Sequence, residues 1–394
     1  MNRSLRILNL IRSVNPVHGG PAEGVRQSVA AARELGHVEE VLTLDAPADA
    51  WVDSFPARTH ALGPARGNFG YTPRLLPWLQ RHAADYDALV VHGLWQFHGV
   101  AARRAALASG RPYLVYPHGM LDPWFRASSP GKHAKKWLYW LAAERAVIRD
   151  AAGVIFTTQE EARLAPTTFR PYDARPAVLG YGLALDDGAR RSSAEDFLRR
   201  HPALKGRRLL LFLGRLHPKK GCDLLVRAFA ELASQDPRLH LVMAGPDATG
   251  LQAGLHAMAV ARGVSERITW TGMLEGPAKW GALRAAEAFV LPSHQENFGI
   301  AVAEALAVGT PALLSRQVNT WREVVEAGAG MAEADTLPGT VALLARWLSL
   351  SDRERMRMRA AALACFERHF HSRGSAQRLA ALVHSLQAAA GHPA

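Results

Sequence analysis

Short apolar runs alternate with longer amphipathic stretches along the whole chain, and halfway along the alternation begins again. The first half places strands near residues 5–11, 40–44, 87–92, 112–117 and 152–157, with helices near 22–35, 73–83, 98–108, 132–149 and 158–164. The second half repeats the scheme with "RLLLFLG" (208–214), "LHLVMAG" (239–245), "RITWTG" (267–272), "AFVLPS" (288–293) and "TPALLS" (310–315). Strands that are apolar throughout, separated by helices, belong to parallel sheets covered on both faces. Two such series predict an α/β protein of two doubly wound domains. In such sheets ligands bind at the carboxyl ends of the strands, so the cleft between the two domains is the expected site.

The length of 394 residues exceeds what one ordinary core supports, in keeping with two domains. The polar, glycine-containing stretch "YGLALDDGARRSSAEDF" (181–197) reads as the linker. The expected domains are 1–185 and 186–370, with a segment 371–394 whose helix returns to the first domain. From Thr340 onward the chain reads as helical, with one stretch around 351–369 and, after Gly374, another near 375–388.

Composition excludes several classes. Two cysteines, Cys222 and Cys365, cannot staple a chain this long or build a zinc site alone, so neither a structural metal nor a redox cofactor is expected. The apolar run 5–11 is too short to span a bilayer and lacks a cleavage region, which places the chain in the cytoplasm. The net charge of +12 raises a polyanion partner, but the excess is shared evenly by the two halves and no nucleic-acid motif accompanies it. No nucleic-acid partner is expected.

Several short motifs face the expected cleft. Arg215 and Lys220 flank the turn between strand 208–214 and the helix that follows; two cations there suit a diphosphate, and a solvated surface pair is the competing reading. In "HGGPAEG", Gly19 and Gly20 precede a helix whose start is an anion-ready terminus, although the motif is neither G-x-G-x-x-G nor a P-loop. In "LPSHQENFGIAVAEALAVGTP" (291–311), Glu296 precedes a helix N-terminus and Glu304 lies inside an apolar helix, where a carboxylate is costly without a partner. Ligand hydroxyls would serve, and so would a buried arginine. His118 follows the strand "PYLVYP"; His92 and His98, with Trp95 between, lie at another strand end and are read as lining the acceptor side rather than binding metal.

"GRLHPKKGCDLLVRAF", followed in order by "LVMAG", "WTGML", "LPSHQENFGIAVAEALAVGTPAL" and "WREVVEAGAG", resembles the retaining group 1 glycosyltransferases of family 4, which have the GT-B fold: two Rossmann-like domains facing each other across a cleft. The likeness covers residues 208–330, and its E-x7-E element joins Glu296 to Glu304. Upstream, "GGP" (19–21) and "YPHGMLDPW" (116–124) look like the family's glycine loop and active-site histidine segment. The resemblance implies a nucleotide-diphosphate sugar, UDP- or GDP-linked, as donor substrate. Arg215 and Lys220 would hold the diphosphate, Glu304 the ribose, and Glu296 the transferred sugar, helped by the backbone of Asn297, Phe298, Gly299 and Ile300, with Met273 completing the donor set. His118 would reach the sugar from the first domain, and Gly19 and Gly20 would approach the phosphates.

The implied reaction is transfer with retention to a glycan or lipid-linked acceptor, in cell-surface polysaccharide biosynthesis. Where many relatives carry Gly-Gly before the glutamate of "WREVV", this chain has Asn319–Thr320–Trp321, so donor contact there is expected to differ. The basic helix 132–150, with Trp137, Tyr139 and Trp140, is a candidate for peripheral contact with an anionic membrane at its inner face, although its apolar residues run around the helix as in core packing. Competing readings are a sugar-nucleotide 2-epimerase of the same fold, against which E-x7-E argues, a nicotinamide oxidoreductase, which lacks its fingerprint here, and a non-catalytic polyanion binder.

Overall fold

The computed structural model describes residues 3–124, 126, 130–185 and 187–390. The expected domain start at 186 and the last four residues of the 371–394 segment lie outside them. The chain divides into two compact units: residues 1–184 with 371–394, and residues 185–370.

In the first unit seven parallel strands form one sheet: β1 (Arg6–Ile11), β2 (Val38–Thr43), β3 (Thr59–Ala61), β4 (Ala88–His92), β5 (Tyr113–Tyr116), β6 (Gly153–Phe156) and β7 (Pro176–Val178). Their order is β3-β2-β1-β4-β5-β6-β7. The chain moves outward from β1 to β3, then returns to β4 on the other side of β1, with Ile7 opposite Ala88. This reversal is the switch point at which doubly wound sheets bind ligands. The helix Phe97–Ser109 covers one face through Ala101, Ala102 and Ala105. The C-terminal helix Ser372–Ala390 covers the other, where Leu379 and Val383 pack on Leu5, Ile7, Val90, Leu114 and Ile155.

The second unit holds β8 (Arg208–Leu213), β9 (Leu239–Ala244), β10 (Ile268–Gly272), β11 (Ala288–Leu291), β12 (Ala312–Ser315) and β13 (Gly330–Glu333), again parallel, in the order β10-β9-β8-β11-β12-β13. Its switch point lies between β8 and β11. Leu210, Phe212, Val242, Phe289 and Leu313 are buried along with Phe229 and Trp347 from the flanking helices.

Four differences from the sequence reading have physical causes. Three short edge strands, β3, β7 and β13, were not expected; each has three or four residues, too few for a period. The helix expected from 375 begins at Ser372 and takes in Gly374, whose cost in the first turn is outweighed by packing of the apolar face. The expected linker carries helices Asp187–Arg191 and Ala194–Arg200: Ser193 caps the second by accepting from the Asp196 N–H, and Ala189 and Phe197 are buried. The helix expected over 132–149 is instead Pro130–Tyr139 and Arg145–Asp150, joined by a π turn at Trp140–Glu144.

Candidate functional site

In the second unit the loops after β8 and β11 meet at the switch point. Past Leu213 the chain runs through Gly214 and Arg215 into a 3-10 turn, Pro218–Lys220, capped by His217, whose Nδ1 accepts from the Lys219 N–H at 3.1 Å. Gly221 follows with φ of 64°, and a Cβ there would collide with the carbonyl of Pro292 beyond β11. Glycine thus allows the two loops to touch. The His294 N–H adds a bond to the Lys219 carbonyl at 2.8 Å, and His294 Nδ1 lies 2.9 Å from Asp335.

This contact delivers the Lys220 ammonium to the Glu296 carboxylate, with which it forms an ion pair. Both side chains are about one-fifth exposed, so the pair is open to a ligand. The Glu296 backbone is held on both sides. Its N–H donates to the Gln317 carbonyl and its carbonyl accepts from the Asn319 N–H, each at 2.9 Å. The departing segment Asn319–Thr320–Trp321 therefore works as a clamp on Glu296: Asn319 and Thr320 are buried, and a helix starts at Trp321. Arg215 is exposed and makes no hydrogen bond or ion pair among the described residues, which leaves its guanidinium available for an anion.

After Glu296 the chain turns through Gly299, at φ 72°, into the helix Ile300–Ala307. Phe298 anchors the turn against Phe370 at 5.6 Å. Glu304 lies in the second turn at 7% exposure, and its partner is neither arginine nor only a ligand hydroxyl: Lys279 Nζ donates to Oε1 at 2.5 Å. Lys279 comes from the helix Gly276–Ala285 and rests its ammonium on the Trp280 ring at 4.8 Å. The expectation that a bound ribose alone would satisfy Glu304 is thereby corrected. Met273, just past β10, is 62% exposed.

In the first unit the corresponding strand ends bring up a different chemistry. Gly19, at φ 75°, caps the helix Gly20–Glu34, and the Tyr181 hydroxyl bonds to the Gly20 carbonyl. His118 follows β5 in a left-handed conformation, φ 51°, rare for a residue with a Cβ. The turn is held by Glu161, whose carboxylate accepts from the Gly119 N–H at 2.6 Å and the Thr157 N–H at 2.8 Å. The His118 ring stacks on Tyr116 and His92, with centroids 5.5 and 5.2 Å away. Burial lowers its basicity to about 4, so it is neutral at ordinary pH.

One acceptor-side expectation does not survive. His98 is 1% exposed, with Nε2 donating to the His92 carbonyl at 2.9 Å, and so cannot line an open surface. Trp95 is half-buried at its strand end, with its indole packed on Phe169 at 5.0 Å and Lys136 over its face. His92 is buried as well and meets His118 directly, Nδ1 to Nε2 at 3.0 Å. With Asn9, Tyr181 and Ser375 these two histidines line a space of about 30 Å³, room for one water.

Sequence reasoning missed Lys279 and Glu161. A signal existed for the first: Glu304 required a buried cation, and "GPAKW" offers a lysine in the first turn of a helix beside a tryptophan. For Glu161, "TTQEEA" is an ordinary helix cap from which no contact with residue 119 can be read.

Comparison with known proteins converges on one group. Residues 194–364 match the family model "Glycosyl transferases group 1", and residues 19–182 match "Glycosyl transferase 4-like domain". A D-inositol 3-phosphate glycosyltransferase of Thermomonospora curvata is 35% identical over 182 residues, 43% of this chain and 42% of that protein. One from Nocardia farcinica is 33% identical over 227 residues, 54% of this chain and 48% of that protein. The matched stretch thus spans about half the length of these curated relatives. Among solved structures, Anabaena HepE in complex with UDP and glucose superimposes with a TM-score of 0.71 at 17% identity, over 97% of this chain and all of that one, a likeness of fold.

Proposed function

Because the chain belongs to the group 1 glycosyltransferases of family 4 and has their GT-B fold, we propose that it moves a sugar, with retention of configuration, from a nucleotide-diphosphate donor to a glycan or lipid-linked acceptor. The observation that carries the reading is the grouping of Lys220, Glu296, Glu304 and Lys279 on loops and helices at the carboxyl side of the second sheet, with Arg215 unpaired on the loop that leads to Lys220.

Charge dictates the roles. As the bond between sugar and diphosphate breaks, negative charge grows on the leaving oxygens, and Arg215 and Lys220 stabilise it in a preorganised setting. Lys220 reaches the phosphate from its pair with Glu296, which frees that carboxylate to accept from hydroxyls of the transferred sugar. Glu304, paired with Lys279, accepts from the ribose, and the backbone from Asn297 to Ile300 lines the sugar. His118, neutral and held at its strand end, makes a hydrogen bond with a sugar hydroxyl, and Gly19 and Gly20 leave room for the phosphates. The proton of the acceptor passes to the departing phosphate on the same face of the sugar. UDP is the first donor base to test, since Anabaena HepE was solved with UDP-glucose.

One feature of the first unit supports reading the acceptor as membrane-borne. On the segment 130–150, Trp137, Leu138 and Leu141 are exposed and so are Lys132 and Lys135, while Trp140 is fully buried. That arrangement suits peripheral docking on the anionic inner leaflet of a membrane; no helix among the described residues is long and apolar enough to cross one. Polysaccharide assembly on a lipid carrier fits both features.

The test is a donor-consumption assay over UDP- and GDP-sugars, with and without lipid-linked sugars, with the anomeric configuration of the product read by NMR. Lys220→Ala and Glu304→Gln are expected to lower turnover by about 10²–10³-fold with the fold intact. Wild-type rates in either would remove that residue from the site, and an inverted product would refute retention.

A further inference from the structure

The first sheet contains a series of polar side chains that the proposed chemistry leaves unused. His118 Nε2 lies 3.0 Å from His92 Nδ1, and His92 Nε2 lies 3.0 Å from Asn9 Oδ1. Asn9 Nδ2 donates to Glu39 Oε2 at 2.8 Å, and Ser28 Oγ donates to Glu39 Oε1 at 3.0 Å. Asn9, His92 and Glu39 are all under 9% exposed, which screens the series from bulk solvent. β1, β2 and β4 bring these residues together as neighbours in one sheet.

Such a series has a direction. Both oxygens of Glu39 receive donors; burial is the larger influence and raises its carboxyl above the usual range, while the hydrogen bonds from Asn9 and Ser28 pull it down. Glu39 Oε2 accepts from the Asn9 NH2, so Asn9 presents its oxygen to His92. His92 then carries its proton on Nε2. Burial keeps it neutral, which leaves a lone pair on Nδ1. That lone pair faces His118 and can only accept, so the His118 proton resides on Nε2. His98 does not interfere, because its Nε2 is committed to the His92 carbonyl. The lone pair of His118 is left on Nδ1, which has no partner among the described residues.

We infer that Glu39, acting through Asn9 and His92, fixes His118 in the Nε2–H tautomer, so that its open Nδ1 is a hydrogen-bond acceptor that takes a ligand hydroxyl and rejects phosphate oxygens. Asn9, His92 and Glu39 are positioning residues. The inference rests on the proposed function for the identity of the hydroxyl as a sugar's; the tautomer itself does not depend on it.

The experiment is a two-bond proton–nitrogen correlation spectrum of the full chain labelled with 15N-histidine at pH 7, which distinguishes protonated from lone-pair ring nitrogens. His118 is assigned by the signals missing from His118→Gln. The wild type is expected to show a single Nε2–H pattern at both His92 and His118. Asn9→Leu and His92→Phe are expected to lose that pattern at His118, giving averaged nitrogens. His92→Gln, whose carboxamide supplies one acceptor and one donor, is expected to restore it. An Nδ1–H pattern in the wild type, or an unchanged His118 in both Asn9→Leu and His92→Phe, overturns the inference. Should the variants fail to fold, the wild-type spectrum alone decides. No substrate enters the measurement, so the transferase reading and this inference can fail separately.

Discussion

Glu304 illustrates how a residue's type and its environment constrain each other. A carboxylate in an apolar helix requires a counter-charge or donors, and Lys279 supplies one across 25 positions of sequence. Removing the lysine alone takes away the counter-charge of a buried acid: Lys279→Met is expected to destabilise the second unit by about 2–3 kcal/mol in urea unfolding, and Lys279→Met with Glu304→Leu is expected to recover most of that. A double variant as unstable as the single one would show that the pair is not the source. At this scale much of the site was legible. Glu296, Glu304, Arg215, Lys220 and His118 stand out as candidates through the family resemblance of their motifs, since by themselves the residues leave surface charge and buried pairing as alternatives. Their partners do not stand out, since the contacts of Lys279, Glu161 and Asn9 depend on which loops the sheet brings together.

Elements carry the next level of control. The π turn Trp140–Glu144 places Glu144 in the core at 1% exposure, accepting from the Trp95 N–H at 3.1 Å. Burial pushes its carboxyl up to about 8. Unfolded, the acid ionises near 4.5, so between pH 4.5 and 8 the unfolded chain binds fewer protons than the folded one. The contribution of Glu144 is therefore fully present below 4.5 and is lost, by about 1.4 kcal/mol per pH unit, as pH rises to 8. Glu144→Gln is expected to remove this slope, read as the difference in unfolding midpoint between pH 5 and pH 8; an unchanged difference refutes it. The central strands and the main helices were legible from their periods. The edge strands β3, β7 and β13 were not, because a strand of three or four residues is defined by its neighbour's hydrogen bonds rather than by its own pattern.

Whole-molecule organisation follows from the path of the chain. The second unit is continuous, residues 185–370, whereas the first is completed by the helix Ser372–Ala390. A fragment 185–370 is expected to unfold cooperatively by itself, while 1–184 alone is expected to expose Leu5, Ile7, Val90 and Leu114 and to aggregate; co-expression with 371–394 should rescue it. Circular dichroism and size-exclusion chromatography of 185–370, of 1–184 and of 1–184 co-expressed with 371–394 check this, and a soluble, folded 1–184 would refute it. What the amino-acid sequence determined by itself was the class of architecture, two wound sheets, and the residue types gathered at their strand ends, because period and composition act locally and each strand's burial on both faces is written in its own run of side chains. What only the tertiary structure decided was pairing: which lysine answers Glu304, which acid pins the His118 turn, and in which direction the hydrogen bonds from Glu39 to His118 run. Those depend on strand order, and strand order is set by long-range packing that no local stretch encodes.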